Sequence, residues 1–208
     1  MSDLEIIAVV LNILGVWLTA RRIRWCWPVS VLAVLLYAWI FYQAKLYSDT
    51  LLQGIFALLQ GYGWWRWSQG GLTHGKVRVA RLPLREGLLG LLFGALGAVL
   101  LGALMYGFTD AAVPWLDALL TAFSLVASVW AARKYVVSWW LWIVLDCLYV
   151  GLFLFKDLRL TAALYAGFVL LAVYGLRTWQ RDLARQGLQP DAGDSVLADS
   201  STAGEPIR

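Results

Sequence analysis

Seven long apolar runs, separated by short polar stretches, make up most of this 208-residue chain. Each run has about 17–22 residues, close to the ~20 that a helix needs to cross the hydrocarbon core of a bilayer. The pattern therefore predicts seven transmembrane helices, at roughly 4–20, 27–44, 50–67, 87–108, 115–132, 138–155 and 160–178.

The apolar pattern repeats along the chain. When the sequence is shifted by 112 residues, the windows 4–67 and 116–179 align without a gap and share 15 identical positions. A high leucine content explains some leucine matches, but it does not bring aromatic residues into register. The matched aromatic residues include Trp27 with Trp139, Tyr37 with Tyr149, Tyr62 with Tyr174, and Trp67 with Trp179. A repeat of three apolar runs predicts two copies of a three-helix unit.

The apolar segment 87–108 carries no charge and lies outside the repeat. Two consecutive three-helix units would be inverted relative to each other, because three is an odd number of crossings, and one further crossing restores the orientation. We therefore expect an all-α integral membrane protein with two parallel repeats joined by a linker helix (3+1+3). Its expected parts are a first bundle at 1–68, a basic cytoplasmic loop and linker helix at 69–114, a second bundle at 115–182, and a disordered cytoplasmic tail at 183–208.

Composition and charge agree with insertion in a membrane. Hydrophobic residues make up 61% of the chain and the mean hydropathy is +0.69, more apolar surface than a soluble domain of this size can bury. Of the 17 basic residues, 14 lie on the side of the first, third and fifth connections and 3 on the other side. The positive side is cytoplasmic, so we expect a bacterial inner-membrane protein with a periplasmic N-terminus and a cytoplasmic C-terminus.

Partners and chemistry follow from the same pattern. The charges lie between apolar runs, so we expect the lipid bilayer and a small molecule as partners, and no nucleic acid; the sequence leaves open whether the chain forms a homo-oligomer. No phosphate-binding loop, metal-ligand cluster or catalytic constellation is present, so we expect no enzyme, no cofactor and no metal. The only histidine, His74, is interpreted as a solvated residue of the basic loop.

Tryptophans near the ends of the apolar runs are typical of interfacial anchors. This interpretation covers Trp25, Trp64, Trp65, Trp67, Trp115 and Trp179. The two cysteines, Cys26 and Cys147, do not form a disulfide framework, and we interpret both as small buried side chains.

Asp146 is the polar residue in the most costly position. It is the ninth residue of the span 138–155, where a carboxylate costs about 2.5–3.5 kcal/mol on insertion scales. It shares one helix face with four aromatic residues, at spacings of three and four: Trp139, Trp142, Tyr149 and Phe153. This stripe could simply pack against neighbouring helices, with Asp146 paired to a buried arginine or hydroxyl. Because no lysine or arginine lies near mid-span, we favour a face that contacts a ligand.

The third span also carries polar groups on one face, namely Asp49, Gln53, Phe56, Gln60, Trp64 and Trp67. Its two amides can line a cavity or form hydrogen bonds between helices, and both interpretations stay open. The corresponding face of the seventh span is Thr161, Tyr165, Phe168, Ala172, Leu176 and Trp179. Asn12 in the first span matches Ser124 in the fifth. A pocket with an aromatic pair, amides and one acid suits a flat cationic ring.

Two motifs resemble the PnuC family of bacterial vitamin transporters. One is the run Tyr47–Gln53 followed by Tyr62–Trp67, and the other is Trp139-x-x-Trp142, with Lys156, Tyr165, Gly175 and Trp179 beyond it. The resemblance covers about residues 4–182. It implies a SWEET-like 3+1+3 topology and a facilitator for nicotinamide riboside that works without ATP or ion coupling and relies on cytoplasmic phosphorylation to trap the product. It also implies that Trp139 and Trp142 hold the ring and that Gln53 is a polar contact.

The acid at position 146 distinguishes the candidate substrates, since many members of the family have an amide near this position. A carboxylate favours a permanent cation, which nicotinamide riboside is, as is thiamine, the substrate of PnuT-type relatives; the neutral riboflavin fits less well. A non-transporting scaffold or sensor and a SWEET-type sugar carrier are the other hypotheses. The predicted substrate-binding residues are Asn12, Gln53, Phe56, Gln60, Trp139, Trp142, Asp146, Tyr149 and Tyr165.

Overall fold

The structure, a computed structural model, describes residues 3–43, 45, 47–69, 72–73, 76–108 and 113–188. Over these ranges the chain forms seven long helices, which confirms the predicted all-α class. They are α1 (Asp3–Ala20), α2 (Cys26–Gln43), α3 (Tyr47–Ser68), α4 (Leu84–Phe108), α5 (Pro114–Ala132), α6 (Ser138–Phe155) and α7 (Arg159–Leu188). Two antiparallel two-residue strands, β1 (Leu72–Thr73) and β2 (Lys76–Val77), lie between α3 and α4.

Six of the seven helices are long and apolar enough to cross a membrane. Helix α3 is outside this set, although it has 22 residues. It is more polar because Gln53 and Gln60 interrupt its apolar sequence and Asp49 and Arg66 lie near its ends.

Helix α7 is longer than the sequence predicts. The span was expected to end near 178 and a tail to begin at 183, but the helix continues to Leu188. The polar extension is held by tertiary contacts, since Asp182 forms an ion pair of 2.7 Å with Arg22 and Leu183 packs on buried core residues. Residues 189–208 and His74 lie outside the described residues, so the expectations about them stay predictions.

Helix α4 packs on α5. Gly94 of α4 faces the Phe123 ring so closely that a Cβ there would lie 2.8 Å from it. Glu86, in the first turn of α4, forms an ion pair with Arg133 at the end of α5. Much of the remaining α4 surface is exposed and apolar, as at Leu88 and Phe93. Because α4 attaches to one side of the second bundle, it leaves the contact between the two bundles free.

The two bundles meet through two helix pairs, α1 with α7 and α3 with α5. A shift of 112 residues exchanges these pairs, and it also relates the connections. Arg22 and Lys134, which follow α1 and α5, both have positive φ, at 60° and 67°. The same pattern of backbone hydrogen bonds surrounds them, including Ile23 N–H to Leu18 O and Tyr135 N–H to Trp130 O. The local structure thus repeats with the period of the sequence.

One end of the molecule, which we call the basic end, holds the connections 21–25, 69–83 and 133–137. Burial lowers the pKa of the Arg22 guanidinium there, and Asp182 partly offsets this effect. Burial and the nearby Arg66 lower the pKa of Lys134. The linker before α4 joins this end: Ala80 N–H donates to Lys134 O at 2.9 Å, and Val136 N–H donates to Ala80 O at 3.1 Å.

Four buried tryptophans, which we call the tryptophan cluster, lie at the basic end: Trp27, Trp67, Trp139 and Trp179. Trp67 and Trp179 are each 0% exposed, so their interpretation as interfacial anchors is wrong. They occupy helix faces that pack against the other bundle, which an end-of-span position does not reveal. Trp25, Trp65 and Trp115 are exposed, as anchors should be. The prediction for the cysteines is right for Cys26, which is buried, and wrong for Cys147, which is exposed.

Two matched glycines make room for the tryptophan cluster. A Cβ on Gly175 would lie 2.7 Å from ring atoms of Trp139, and Gly63 lies even more tightly against Trp27. We expect Gly63→Ala and Gly175→Ala each to destabilise the protein by about 1–3 kcal/mol through overpacking, measured by thermal denaturation in detergent. Gly61→Ala and Gly167→Ala are matched controls on the same helices, because a Cβ there meets nothing within 4 Å. Equal melting temperatures for the two sets would contradict this account of the packing.

Candidate functional site

A cavity of about 460 Å³ lies between the two bundles, within the size range of small-molecule sites. Every helix except α4 contributes to its lining. From the first bundle come Asn12, Val16, Thr19, Trp27, Ser30, Val34, Tyr37, Phe41, Leu52, Gln53, Phe56 and Gln60. From the second come Ser124, Ser128, Ala131, Trp139, Trp142, Asp146, Tyr149, Phe153, Thr161, Leu164, Tyr165, Phe168 and Ala172.

The lining is paired by the sequence repeat. Adding 112 to each of the twelve lining positions of the first bundle gives a lining position of the second, and only Thr161 lacks a partner in the lining. Five pairs are identical, namely Trp27/Trp139, Tyr37/Tyr149, Phe41/Phe153, Leu52/Leu164 and Phe56/Phe168. The cavity is therefore built from equivalent faces of the two bundles, and its polar groups are what distinguish the two walls.

All nine residues predicted to bind a substrate line this cavity. The predicted face of α6 is present, with Trp139, Trp142, Asp146 and Tyr149 on one wall. Gln53, Phe56 and Gln60 of α3 contribute to the other bundle's wall. Asp49, at the end of the predicted α3 stripe, is exposed and is not part of the lining.

Asp146 is 5% exposed. Within the described part of the chain, none of the ion pairs involves its carboxylate. Its pair-mate on the first bundle is Val34, so the acid belongs to one wall only. A carboxylate in this position has lost most of its hydration, and a bound cation would compensate that loss.

Aromatic rings pack together beside Asp146. The Tyr165 ring lies 4.7 Å from Tyr149 and 5.0 Å from Phe153, and it meets Phe168 edge-on at 5.6 Å. The Tyr149 hydroxyl is within hydrogen-bonding reach of the Ser124 side chain. Rings and hydroxyls of this kind can surround a flat ligand and attract a positive charge.

The two α6 tryptophans have different environments. Trp142 is partly exposed and corresponds to Ser30 on the first bundle. Trp139 is 3% exposed, corresponds to Trp27, and meets Trp179 edge-on at 5.5 Å. Trp142 is thus the more accessible ring, and Trp139 forms part of the cavity floor beside the tryptophan cluster.

The first-bundle wall provides neutral polar groups. Gln53 and Gln60 lie two turns apart on α3, and Asn12 and Ser30 come from α1 and α2. Their counterparts on the second bundle are Tyr165, Ala172, Ser124 and Trp142. This wall therefore carries most of the amides, while the second carries the acid.

Sequence reasoning missed several lining residues of the first bundle, chiefly Trp27, Ser30, Tyr37 and Phe41. The signal that could have found them was the repeat itself. Subtracting 112 from the α6 stripe gives these four positions together with Val34.

A second cavity, of about 520 Å³, lies between α3 and the α4–α5 pair. Its lining is apolar apart from Glu86 and Arg133, which form an ion pair with each other. It offers few groups that could orient a polar ligand, so the central cavity is the candidate site.

The comparisons with known proteins agree with this arrangement. A family model described as "Nicotinamide mononucleotide transporter" matches residues 2–181 of the chain. The chain belongs to this family. The family resemblance carried by the α3 and α6 motifs is thereby confirmed.

Curated relatives with different printed substrates are similar to this chain. The nicotinamide riboside transporter PnuC of Escherichia coli K12 is 26% identical over 183 residues, covering 76% of this chain and 77% of the relative. The riboflavin/roseoflavin transporter RibM of Streptomyces davaonensis is 29% identical over 174 residues, covering 81% of each. A crystal structure of the vitamin B3 transporter PnuC superposes with a TM-score of 0.70 at 26% identity, covering 88% of this chain and 82% of that one.

Family membership settles the class of the protein. It is a multi-pass membrane transporter of a vitamin-transporting family and not an enzyme. Because the relatives carry at least two substrates at similar identity, the substrate must be argued from the cavity of this chain.

Proposed function

We propose that the protein is a facilitator for nicotinamide riboside in the bacterial inner membrane. The observation that supports this most is Asp146, a buried carboxylate without an ion-pair partner among the described residues, in an aromatic-lined cavity. The nicotinamide ring of the riboside is flat and permanently cationic. Stacking on Trp142 and Coulomb attraction to Asp146 would each favour that ring over a neutral one.

The remaining part of the substrate is a polyhydroxylated ribose. Gln53, Gln60 and Asn12 provide donors and acceptors on the first-bundle wall. We therefore place the ring against α6 and the ribose toward α3. Such a site rejects ligands that leave its amides unpaired, since a buried polar group without a hydrogen bond is costly.

The transport mechanism we propose is alternating access, in which two parallel three-helix repeats move relative to each other around the central cavity. The matched connections and the paired lining support the repeats. We place the basic end in the cytoplasm and the N-terminus in the periplasm, from the charge distribution. Uptake would need no ATP or ion coupling, because phosphorylation of the product in the cytoplasm keeps the gradient directed inward.

Thiamine is the second candidate, because it is also a cationic ring and the same acid would attract it. Riboflavin is named for a relative of similar identity, but its ring system is neutral and gains nothing from a carboxylate. A scaffold or sensor without transport does not agree with the family.

A binding experiment tests the proposal. The purified protein in detergent is titrated with nicotinamide riboside, thiamine and riboflavin, and binding is measured by thermal shift and calorimetry. We expect nicotinamide riboside to bind most tightly, thiamine more weakly, and riboflavin least. Tightest binding of riboflavin would overturn the proposed substrate, and tightest binding of thiamine would favour the second candidate.

A further inference from the structure

We infer that the tryptophan cluster is the gate that closes the cavity at the basic end, and that two reciprocal indole–carbonyl contacts hold it shut. This inference rests on the proposed alternating-access mechanism, because a gate is needed only where the cavity opens alternately to two sides. It assigns a role to Trp67 and Trp179, neither of which lines the cavity.

The contacts connect the two bundles in both directions. Trp67 Nε1–H on α3 reaches the carbonyl oxygens of Ala131 and Ala132 on α5, at 3.3 and 3.1 Å. Trp179 Nε1–H on α7 reaches those of Thr19 and Ala20 on α1, both at 3.2 Å. A shift of 112 residues converts one set of donor and acceptors into the other.

The acceptors explain why these contacts can be both strong and breakable. They belong to the last turns of α1 and α5, where main-chain carbonyls lack partners within the helix and carry partial negative charge. An indole N–H from the other bundle satisfies them. When the bundles separate at this end, water at the surface can replace the indole, so opening leaves no carbonyl permanently unsatisfied.

The cluster lies between the cavity and the basic end. Trp27 and Trp139 belong both to the cavity lining and to the buried cluster. Trp67 and Trp179 pack beyond them, with their ring centroids 6.0 Å apart across the bundle boundary. Val79 of the linker is buried in the same cluster. A ligand leaving toward the basic end must therefore displace these rings.

Two further groups make closure a balanced state. The Nε1–H groups of Trp27 and Trp139 are buried and have no hydrogen-bond partner among the described residues. Buried donors without partners oppose the closed arrangement, while the contacts of Trp67 and Trp179 favour it. A gate needs two states of similar free energy, and these opposing terms provide them.

The chain contains its own reporter of the gate. Cys26 is 1% exposed and lies in the cluster beside Trp27, whereas Cys147, the only other cysteine, is exposed on α6. In a Cys147→Ser background, the rate at which a membrane-impermeant maleimide labels Cys26 measures opening. Labelling is followed in inverted and in right-side-out membrane vesicles, so that the side of access is also recorded.

We expect the double variant Trp67→Phe/Trp179→Phe to label Cys26 about ten-fold faster than the background, as removal of two hydrogen bonds implies, and only in inverted vesicles. Each single variant should give an intermediate rate. Trp65→Phe is the matched control, since Trp65 lies on the same helix and is 51% exposed; its labelling rate should not change.

The outcomes separate this inference from the proposed substrate, because labelling uses no vitamin. Unchanged labelling in the double variant, or equal acceleration by Trp65→Phe, would overturn the gate whatever the protein binds. If the double variant does not fold, Asp182→Asn tests the same point by removing the 2.7 Å ion pair with Arg22 at the basic end, and it too should accelerate labelling. Faster labelling without binding of nicotinamide riboside would keep the gate and reject the substrate.

Discussion

Replacing Asp146 by asparagine is expected to weaken the binding of nicotinamide riboside about 10- to 100-fold, or ~1.4–2.8 kcal/mol. Opposite unit charges about 5 Å apart attract by roughly 3 kcal/mol at an effective dielectric constant of about 20, and the amide recovers part of this by hydrogen bonding. Because the new side chain is neutral, membrane insertion should improve slightly. Calorimetric titration of the purified variant measures the change.

Two controls separate charge from shape. A neutral analogue, the reduced dihydronicotinamide form of the riboside, should lose much less affinity in the variant than the cation does. Asp117→Asn makes the same substitution outside the cavity, where the carboxylate pairs with Lys156 at 3.4 Å, and it should leave binding of both ligands nearly unchanged. An equal loss for charged and neutral ligands would show that Asp146 orients the pocket instead of selecting charge.

Replacing Trp142 by leucine is expected to reduce uptake at least ten-fold at unchanged protein level and melting temperature. The ring lines the cavity and is partly exposed, so leucine removes a π face worth about 1–2 kcal/mol to a desolvated cation without opening the core. Trp139→Leu should also reduce uptake. In addition it should lower the melting temperature, because Trp139 is 3% exposed and packs on Gly175 and Trp179.

Trp140→Leu is the matched control for both variants. Trp140 is adjacent in sequence on the same helix, is 54% exposed and does not line the cavity. Its uptake should remain near that of the unchanged protein. Near-normal uptake in both Trp142→Leu and Trp139→Leu would assign these rings to packing alone.

The helices were predictable because membrane spans are set by length and hydropathy, which a single sequence displays directly. The polar face of α6 was predictable for a related reason: the spacing of Asp146 with its aromatic neighbours depends only on helical geometry. Both inferences need local information, and local information is what apolar runs and three-and-four spacings contain.

Features that depend on tertiary contacts were not predictable in this way. The extension of α7 to Leu188 is held by Asp182 and Leu183, whose partners lie far away in sequence. Trp67 and Trp179 resemble anchors by their position near helix ends, and only the packing of the bundles shows that they are buried. Cys147 falls on the outward side of α6, which a count of apolar neighbours does not reveal.

Half of the cavity was missed although the repeat was visible. The missing step was to treat the repeat as a statement about space: if two units face each other with the same orientation, the face that one uses is the face that the other uses. Tyr37 and Phe41 follow from Tyr149 and Phe153 by this step, and Trp27 follows from Trp139.

The paired lining of the cavity has a consequence for how a ligand is oriented. Two identical three-helix units would enclose a pocket in which every molecule could bind in two equivalent poses, turned by half a revolution, and no pose would be preferred. In this chain seven of the twelve pairs differ, among them Val34/Asp146 and Gln60/Ala172. Duplication within one polypeptide allowed each wall to mutate separately, so an asymmetric molecule can be held one way round in a pocket of dimeric origin.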